Sequence, residues 1–257
     1  MRNRIFLLCI FAFPSIVFAG NPPGGEDDIL RPVPWSMQVG PFAGAAWVVS
    51  QGSFQTLCDC EYGTGNGLGF EVGAFADYPL TGEISLFATL GFRMFTPSYK
   101  KSQQRLEYVA VPGGGDFMWV DYDLKTTLSL SMVELGVAAK WELPLKGLYV
   151  AAGPEFGWII DDNIEETESI RTPGLTYDTN GRTEQTFMDD NLDTYYPDAA
   201  AFRVGLAARL GYIVPIHEKL SIAPEMTVSM PLTPVTTTYS TWKLAAWQFN
   251  VYLRFAI

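Results

Sequence analysis

The chain has 257 residues, of which 48% are hydrophobic, 14% aromatic and only 18% charged, with a net charge of −11. A soluble domain usually carries about 25% charged residues. Beyond the N-terminus, no stretch approaches the ~20 consecutive apolar residues of a membrane-spanning helix. A membrane protein of this composition must therefore be a β-barrel, because a span must satisfy its own backbone hydrogen bonds.

The N-terminus indicates export. Arg2 and Arg4 precede an apolar run over residues 5–18, and Val17 and Ala19 suit the −3 and −1 positions of a cleavage site. This pattern predicts a secretory signal peptide over residues 1–19. The Pro- and Gly-rich residues 20–35 then predict a flexible periplasmic tail.

Two cysteines, Cys58 and Cys60, remain after cleavage of the signal peptide. An exported chain meets an oxidising compartment, which favours a loop disulfide. Free thiols are one alternative. A metal site is the other, although two thiolates without a nearby His are only half of a zinc site.

Alternation of apolar and polar residues predicts an all-β fold. Its clearest example is the last segment, where Trp247, Phe249 and Val251 alternate with Gln248 and Asn250. The pattern predicts an eight-stranded antiparallel up-and-down transmembrane β-barrel over residues 36–257. The predicted strands are 36–50, 66–78, 83–97, 124–143, 147–160, 200–213, 219–231 and 242–257. In the fourth, the apolar phase changes near Met132 and Val133, which predicts a β-bulge there.

The predicted connections alternate between long and short, as the external loops and periplasmic turns of outer-membrane barrels do. The short ones are 79–82, 144–146 and 214–218, and the long ones are 51–65, 98–123, 161–199 and 232–241. This parity places both termini in the periplasm and the protein in the outer membrane.

The polar faces of the strands carry charges of both signs. An eight-stranded barrel has an interior just wide enough for side chains, so isolated charges there would be costly and should pair. We predict a lumen ion-pair network with ten members: Glu71, Arg93, Glu134, Lys140, Glu142, Glu155, Arg203, Arg209, Glu225 and Arg254. A narrow ion-selective pore is the alternative interpretation of the same residues.

Residues 161–199 hold eleven acidic residues against two arginines. Such a stretch predicts a solvated surface loop or a partner-binding loop. A weaker hypothesis is a divalent cation held by Asp189, Asp190 and Asp193. The one histidine, His217, falls in a predicted periplasmic turn, and no nucleophile motif, phosphate loop or metal cluster accompanies it. The sequence therefore predicts neither a catalytic site nor a cofactor.

Three segments resemble the PorT-like outer-membrane β-barrel family of the Bacteroidetes. Residues 129–141 (SLSMVELGVAAKW) resemble its "YLEIPLLAKY" strand, residues 148–157 (LYVAAGPEFG) its "FYVEAGPYVGY" strand, and residues 72–80 (VGAFADYPL) its "GLFAEYPL" turn entry. The chain departs from the pattern at Gly136, where the family usually has Pro, and in its acidic loop. The resemblance implies an outer-membrane barrel, usually without a known activity, and one relative serves a protein secretion system.

The leading functional hypothesis is a non-enzymatic outer-membrane protein with a plugged lumen, acting in envelope integrity or through its external loops. A narrow channel and an accessory subunit of a secretion or assembly complex are the alternatives. We expect outer-membrane lipid around a monomer, a protein partner at the external loops, and no nucleic acid.

Overall fold

The computed structural model describes residues 36–55, 61–111, 114–177, 181–189, 200–236 and 241–257. The predicted signal peptide and tail, Cys58 and Cys60 lie outside these ranges. No helix in the described part is both long and apolar enough to cross a membrane. The strands are β1 (Gln38–Gln51), β2 (Phe54–Gln55), β3 (Glu61–Tyr62), β4 (Asn66–Pro79), β5 (Ile84–Val111), β6 (Gly114–Glu142), β7 (Leu148–Ile170), β8 (Glu184–Asp189), β9 (Phe202–Tyr212), β10 (Val214–His217), β11 (Leu220–Pro231) and β12 (Lys243–Ala256).

Eight of these strands close into a ring. Each pairs antiparallel with its neighbour in the order β1, β4, β5, β6, β7, β9, β11 and β12, and β12 pairs with β1 again. Each of the eight predicted strand segments overlaps one strand of the ring. The prediction of an eight-stranded antiparallel barrel is confirmed.

The register fixes the stagger of the barrel. Starting from Leu86 on β5, the paired residues can be followed once around the ring through β6, β7, β9, β11, β12, β1 and β4. The path returns to β5 at Thr96, ten residues further along the strand. A shear of this size in eight strands corresponds to a strand tilt of about 40°.

The outward faces of the strands carry an apolar band. Along β5 the outward residues run from Ile84 to Met94, and at the calculated tilt the ten residue steps between them rise about 25 Å along the barrel axis. That height matches the apolar band of outer-membrane barrels. Exposed members elsewhere on the ring include Trp47, Leu68, Phe70, Trp141, Trp158, Phe202, Leu206, Trp247 and Phe249.

Three strands continue well past this band. β5 and β6 form one long hairpin up to Val111 and Gly114, and β7 runs to Ile170 with β8 along its free edge. The predicted strand ends at residues 97 and 160 were therefore too early and the predicted start at residue 124 too late, because polar residues occupy both faces of the extension and hide the alternation. We call the end of the barrel with these strands the extended end, and the opposite end, where Gln38 pairs with Ala256, the termini end.

The irregularity predicted near Met132 is present at that level of the β6–β7 pair, but β6 itself does not change phase. Even-numbered residues face inward along the whole of β6 from Val120 to Lys140. The apparent change of phase arises because the inward residues Leu128, Leu130 and Met132 are apolar, whereas Glu134 and Lys140 further along are charged. The irregularity lies on the partner strand, where Ser131 pairs with Asp161 and Met132 with Ile159.

Candidate functional site

The candidate site is the barrel interior. Nine of the ten predicted network residues are buried there, each with at most 8% of its surface exposed: Glu71, Arg93, Glu134, Lys140, Glu155, Arg203, Arg209, Glu225 and Arg254. The tenth, Glu142, lies at the mouth with 52% of its side chain exposed and contacts the Lys140 ammonium at 3.1 Å.

The tier nearest the termini end is built on Asp77. One of its carboxylate oxygens accepts hydrogen bonds from Lys140 Nζ at 2.6 Å and from the Arg254 guanidinium. Arg254 Nε also donates to the side chain of Gln38 at 2.7 Å. One buried carboxylate therefore serves two cations, and Glu142 at the mouth is a second anion for Lys140.

A layer of aromatic rings separates this tier from the middle of the lumen. Phe42, Phe75, Phe87, Tyr149 and Tyr252 pack together there. Three cations lie against these rings, which attract positive charge through their π faces: Arg254 over Phe75, Lys140 over Tyr149 and Arg209 over Phe87, each at 5.0 to 5.4 Å from the ring centre.

Arg93 is the centre of the middle tier. Its guanidinium lies 2.9 Å from Glu71, 2.6 Å from Glu134 and 3.7 Å from Glu155. It also donates to the amide oxygen of Gln248 at 3.1 Å. Strands β4, β5, β6, β7 and β12 all contribute to this one cluster, so it links opposite walls of the barrel.

Arg209 and Glu225 form the other half of the middle tier. Arg209 lies 3.4 Å from both Glu225 and Glu155. The Glu225 carboxylate accepts hydrogen bonds from the hydroxyls of Tyr149 at 2.7 Å and Tyr252 at 3.1 Å. Through Glu155, which both arginines approach, the two halves become one continuous network.

Arg203 differs from the predicted pairing. No carboxylate of the described residues lies within 4 Å of its guanidinium, and its Nη2 donates to the backbone oxygen of Leu244 at 3.1 Å. Beside it is a cavity of about 30 Å³ that Glu134 and Arg93 also line. A polar space of this size holds one or two water molecules.

An apolar cap lies at the extended end of the lumen. Trp242 is fully buried, stacks on Phe54 at 4.1 Å and donates its indole N–H to Ser50 and the Tyr99 hydroxyl. Tyr62 of the small β2–β3 hairpin is also buried. Burial raises the pKa of Tyr62 to about 12, and the nearby Glu166 carboxylate adds to the increase.

Much of the acidic segment is ordered against the extension. Glu168 pairs with Arg105 at 2.7 Å and accepts a hydrogen bond from the Tyr177 hydroxyl at 2.8 Å. Asp123 of β6 is bonded by Ser102 and by Arg171, and these hydrogen bonds lower the pKa of its carboxyl. The expectation of a purely solvated loop is therefore wrong for residues 161–170, which form part of β7.

The comparisons with known proteins give architecture only. No protein-family model and no curated protein matches the chain. Neisserial surface protein A aligns with 86% of this chain and 97% of its own at 11% identity and a TM-score of 0.36. Ail of Yersinia pestis aligns at 12% identity, covering 86% and 99% of the two chains with a TM-score of 0.30. CarO of Acinetobacter baumannii aligns at 14% identity, covering 90% and 100% with a TM-score of 0.28. The likeness to PorT-like proteins stays a prediction.

The remaining predicted positions fall in three places. His217 ends β10 and is exposed at the termini end. Asp189 ends β8, whereas Asp190 and Asp193 lie outside the described residues. Within the described ranges, no group of three or more His, Cys, Asp or Glu side chains is arranged to hold a metal ion.

Sequence reasoning missed two important residues. Asp77 falls on the polar face of β4, so its position in the alternation and its charge together indicate a lumen residue. Trp242 lies at the start of the last predicted strand, and nothing in its neighbours distinguishes an inward cap from an outward anchor.

Proposed function

We propose that the protein is a non-enzymatic outer-membrane β-barrel with a closed lumen. The apolar outward band, the signal-peptide pattern and the closed ring of strands support its place in the outer membrane, with both termini in the periplasm. The main support for a closed lumen is that side chains occupy the interior from the Asp77 tier to the Trp242 cap.

The filled lumen is maintained by its electrostatics as well as by volume. A conducting path would have to separate Arg93 from Glu71 and Glu134, or Arg209 from Glu225. Breaking one buried pair of this kind costs about 3–5 kcal/mol, and the network links several such pairs. The fold therefore favours a structural plug over an open channel.

Liposome swelling tests this proposal. Barrel reconstituted into liposomes should cause no swelling in an isotonic solution of a small sugar, at a protein content where an open porin does. Folded insertion is checked by the different gel migration of unheated and heated samples. Swelling that increases with the amount of folded protein would overturn the closed lumen.

A second role, docking of a protein partner, is favoured by the tip of the β5–β6 hairpin. Leu106, Tyr108, Phe117 and Trp119 share its outer face and are each 53% to 65% exposed. Leu106 pairs with Trp119 and Tyr108 with Phe117 in the register. Exposed aromatic clusters of this kind are typical of interaction sites, and the polar rows of the extension separate this cluster from the apolar band.

Affinity capture from native membranes tests the docking role. Phe117→Ser with Trp119→Ser should fold normally and lose a protein that the wild type retains. Gln104→Ser is the matched control, because it changes the same face one row nearer the barrel. Equal retention by all three proteins would overturn docking through the tip.

A further inference from the structure

Two lysines form an unpaired positive patch on the outer face of the extension. Lys100 of β5 and Lys125 of β6 lie directly opposite each other in the register, and both are exposed. Like charges directly opposite on a sheet repel. Within the described residues no carboxylate lies within 4 Å of either ammonium group.

Two acidic residues lie in the rows on either side of this pair. One row nearer the barrel, Glu165 pairs with Thr127 in the register; one row further out, Asp123 is already bonded by Ser102 and Arg171. Beside Lys125 lie the hydroxyls of Thr167 and Thr186, 3.4 Å apart. Lys100, Lys125 and the two threonine hydroxyls therefore lie in one row of the outer face, on a chain whose net charge is −11.

The position of the patch indicates its ligand. Lys100 follows Met94, the last apolar outward residue of β5, by six residues, which is about 15 Å along the barrel axis. Lysine side chains are long and flexible, so the two ammonium groups can extend from beyond the apolar band toward the lipid headgroups. Both strands point the two side chains away from the barrel axis.

We propose that Lys100 and Lys125 bind the phosphate of a phosphorylated lipid in the leaflet around the extended end. Two ammonium groups on adjacent strands bracket one phosphate, and the threonine hydroxyls beside Lys125 donate to its remaining oxygens. The bound lipid removes the repulsion between the lysines and fixes how deep the barrel lies. This inference rests on the proposed membrane location and does not depend on whether the lumen is closed.

Native mass spectrometry of the full-length folded barrel tests the site. The protein is released from detergent in the presence of dioleoyl phosphatidic acid or dioleoyl phosphatidylcholine, which have the same acyl chains. The wild type should retain phosphatidic acid in preference. Lys100→Gln with Lys125→Gln should reduce that preference about tenfold or more, since each lysine near an anionic surface contributes appreciably.

Three controls make the result decisive. Lys146→Gln with Lys219→Gln removes the same charge at the termini end and should keep the preference. Lys100→Arg with Lys125→Arg keeps the charge and should also keep the preference for phosphatidic acid. This variant still tests the site if the glutamine variant fails to fold. An unchanged preference in the folded glutamine variant overturns the site, and complete displacement by an equal concentration of inorganic phosphate overturns a lipid as its ligand. Failure of the barrel to insert into liposomes would instead refute the proposed membrane location.

Discussion

Replacing Arg93 with Met tests the lumen network at its centre. Arg93 is 3% exposed and is the arginine closest to both Glu71 and Glu134, at 2.9 and 2.6 Å. Methionine keeps an unbranched side chain but removes the guanidinium. Glu155 still has Arg209 at 3.4 Å, so the substitution leaves two buried carboxylates without their cation.

The expected loss follows from that geometry. Removing one partner of a buried ion pair typically costs about 3–5 kcal/mol because the other charge stays behind. We expect Arg93→Met to lower the free energy of unfolding by an amount in this range. Adding Glu71→Gln and Glu134→Gln to Arg93→Met should recover at least half of the loss, since most of the cost is the uncompensated charge.

Urea unfolding of the detergent-folded barrel, followed by tryptophan fluorescence, measures this change. Arg171→Met is the matched control: it removes a guanidinium from an ion pair with Asp123 whose side chains are 67% and 37% exposed. A surface pair contributes about 0–1 kcal/mol. A loss below about 1 kcal/mol for Arg93→Met, equal to that of Arg171→Met, would refute the account of a buried, paired lumen.

Three further predictions concern other parts of the interior. Asp77→Asn should destabilise the barrel by about 3–5 kcal/mol, because it leaves Lys140 and Arg254 without their shared anion. Glu142→Gln at the mouth should cost less than about 1 kcal/mol. Equal losses in urea unfolding would contradict the central role of Asp77 in this tier. Trp242→Ala should cost about 3–5 kcal/mol through the cavity it leaves, and a near-wild-type unfolding midpoint would rule out a packed cap. Tyr62 has a folded-state pKa raised from 10.0 to about 12, so its contribution is fully present below pH 10 and is lost as the pH rises toward 12. The unfolding free energy of the wild type should therefore fall relative to Tyr62→Phe over that window, and a pH-independent difference would contradict this assignment.

The sequence predicted the strands of the ring because lipid-facing and lumen-facing residues alternate strictly. On β12, Trp247 and Phe249 alternate with Gln248 and Asn250, and the structure places the first pair outside and the second inside. The same alternation predicted ten inward charged residues, and nine of them are buried. It failed on β6, where the inward Leu128 and Met132 pack into the apolar cap and imitate an outward face.

The partners of each charge could not be predicted from the sequence. Which side chains meet across the lumen depends on the shear of ten residues, and this follows from the pairing of all eight strands together. Arg93 meets Glu155 from β7, two strands away, for that reason. Arg203 was expected to pair and instead lies beside a cavity, bonded to a backbone oxygen.

Single-channel recording in a planar lipid bilayer tests the closed lumen most directly. Wild-type protein, shown to be folded by its heat-dependent gel migration, is added until insertion is verified by a fluorescent label. The account predicts no steady unitary currents at any applied voltage, because the tiers from Asp77 to Trp242 fill the lumen. Reproducible unitary currents whose ion selectivity changes in Arg93→Met would contradict it.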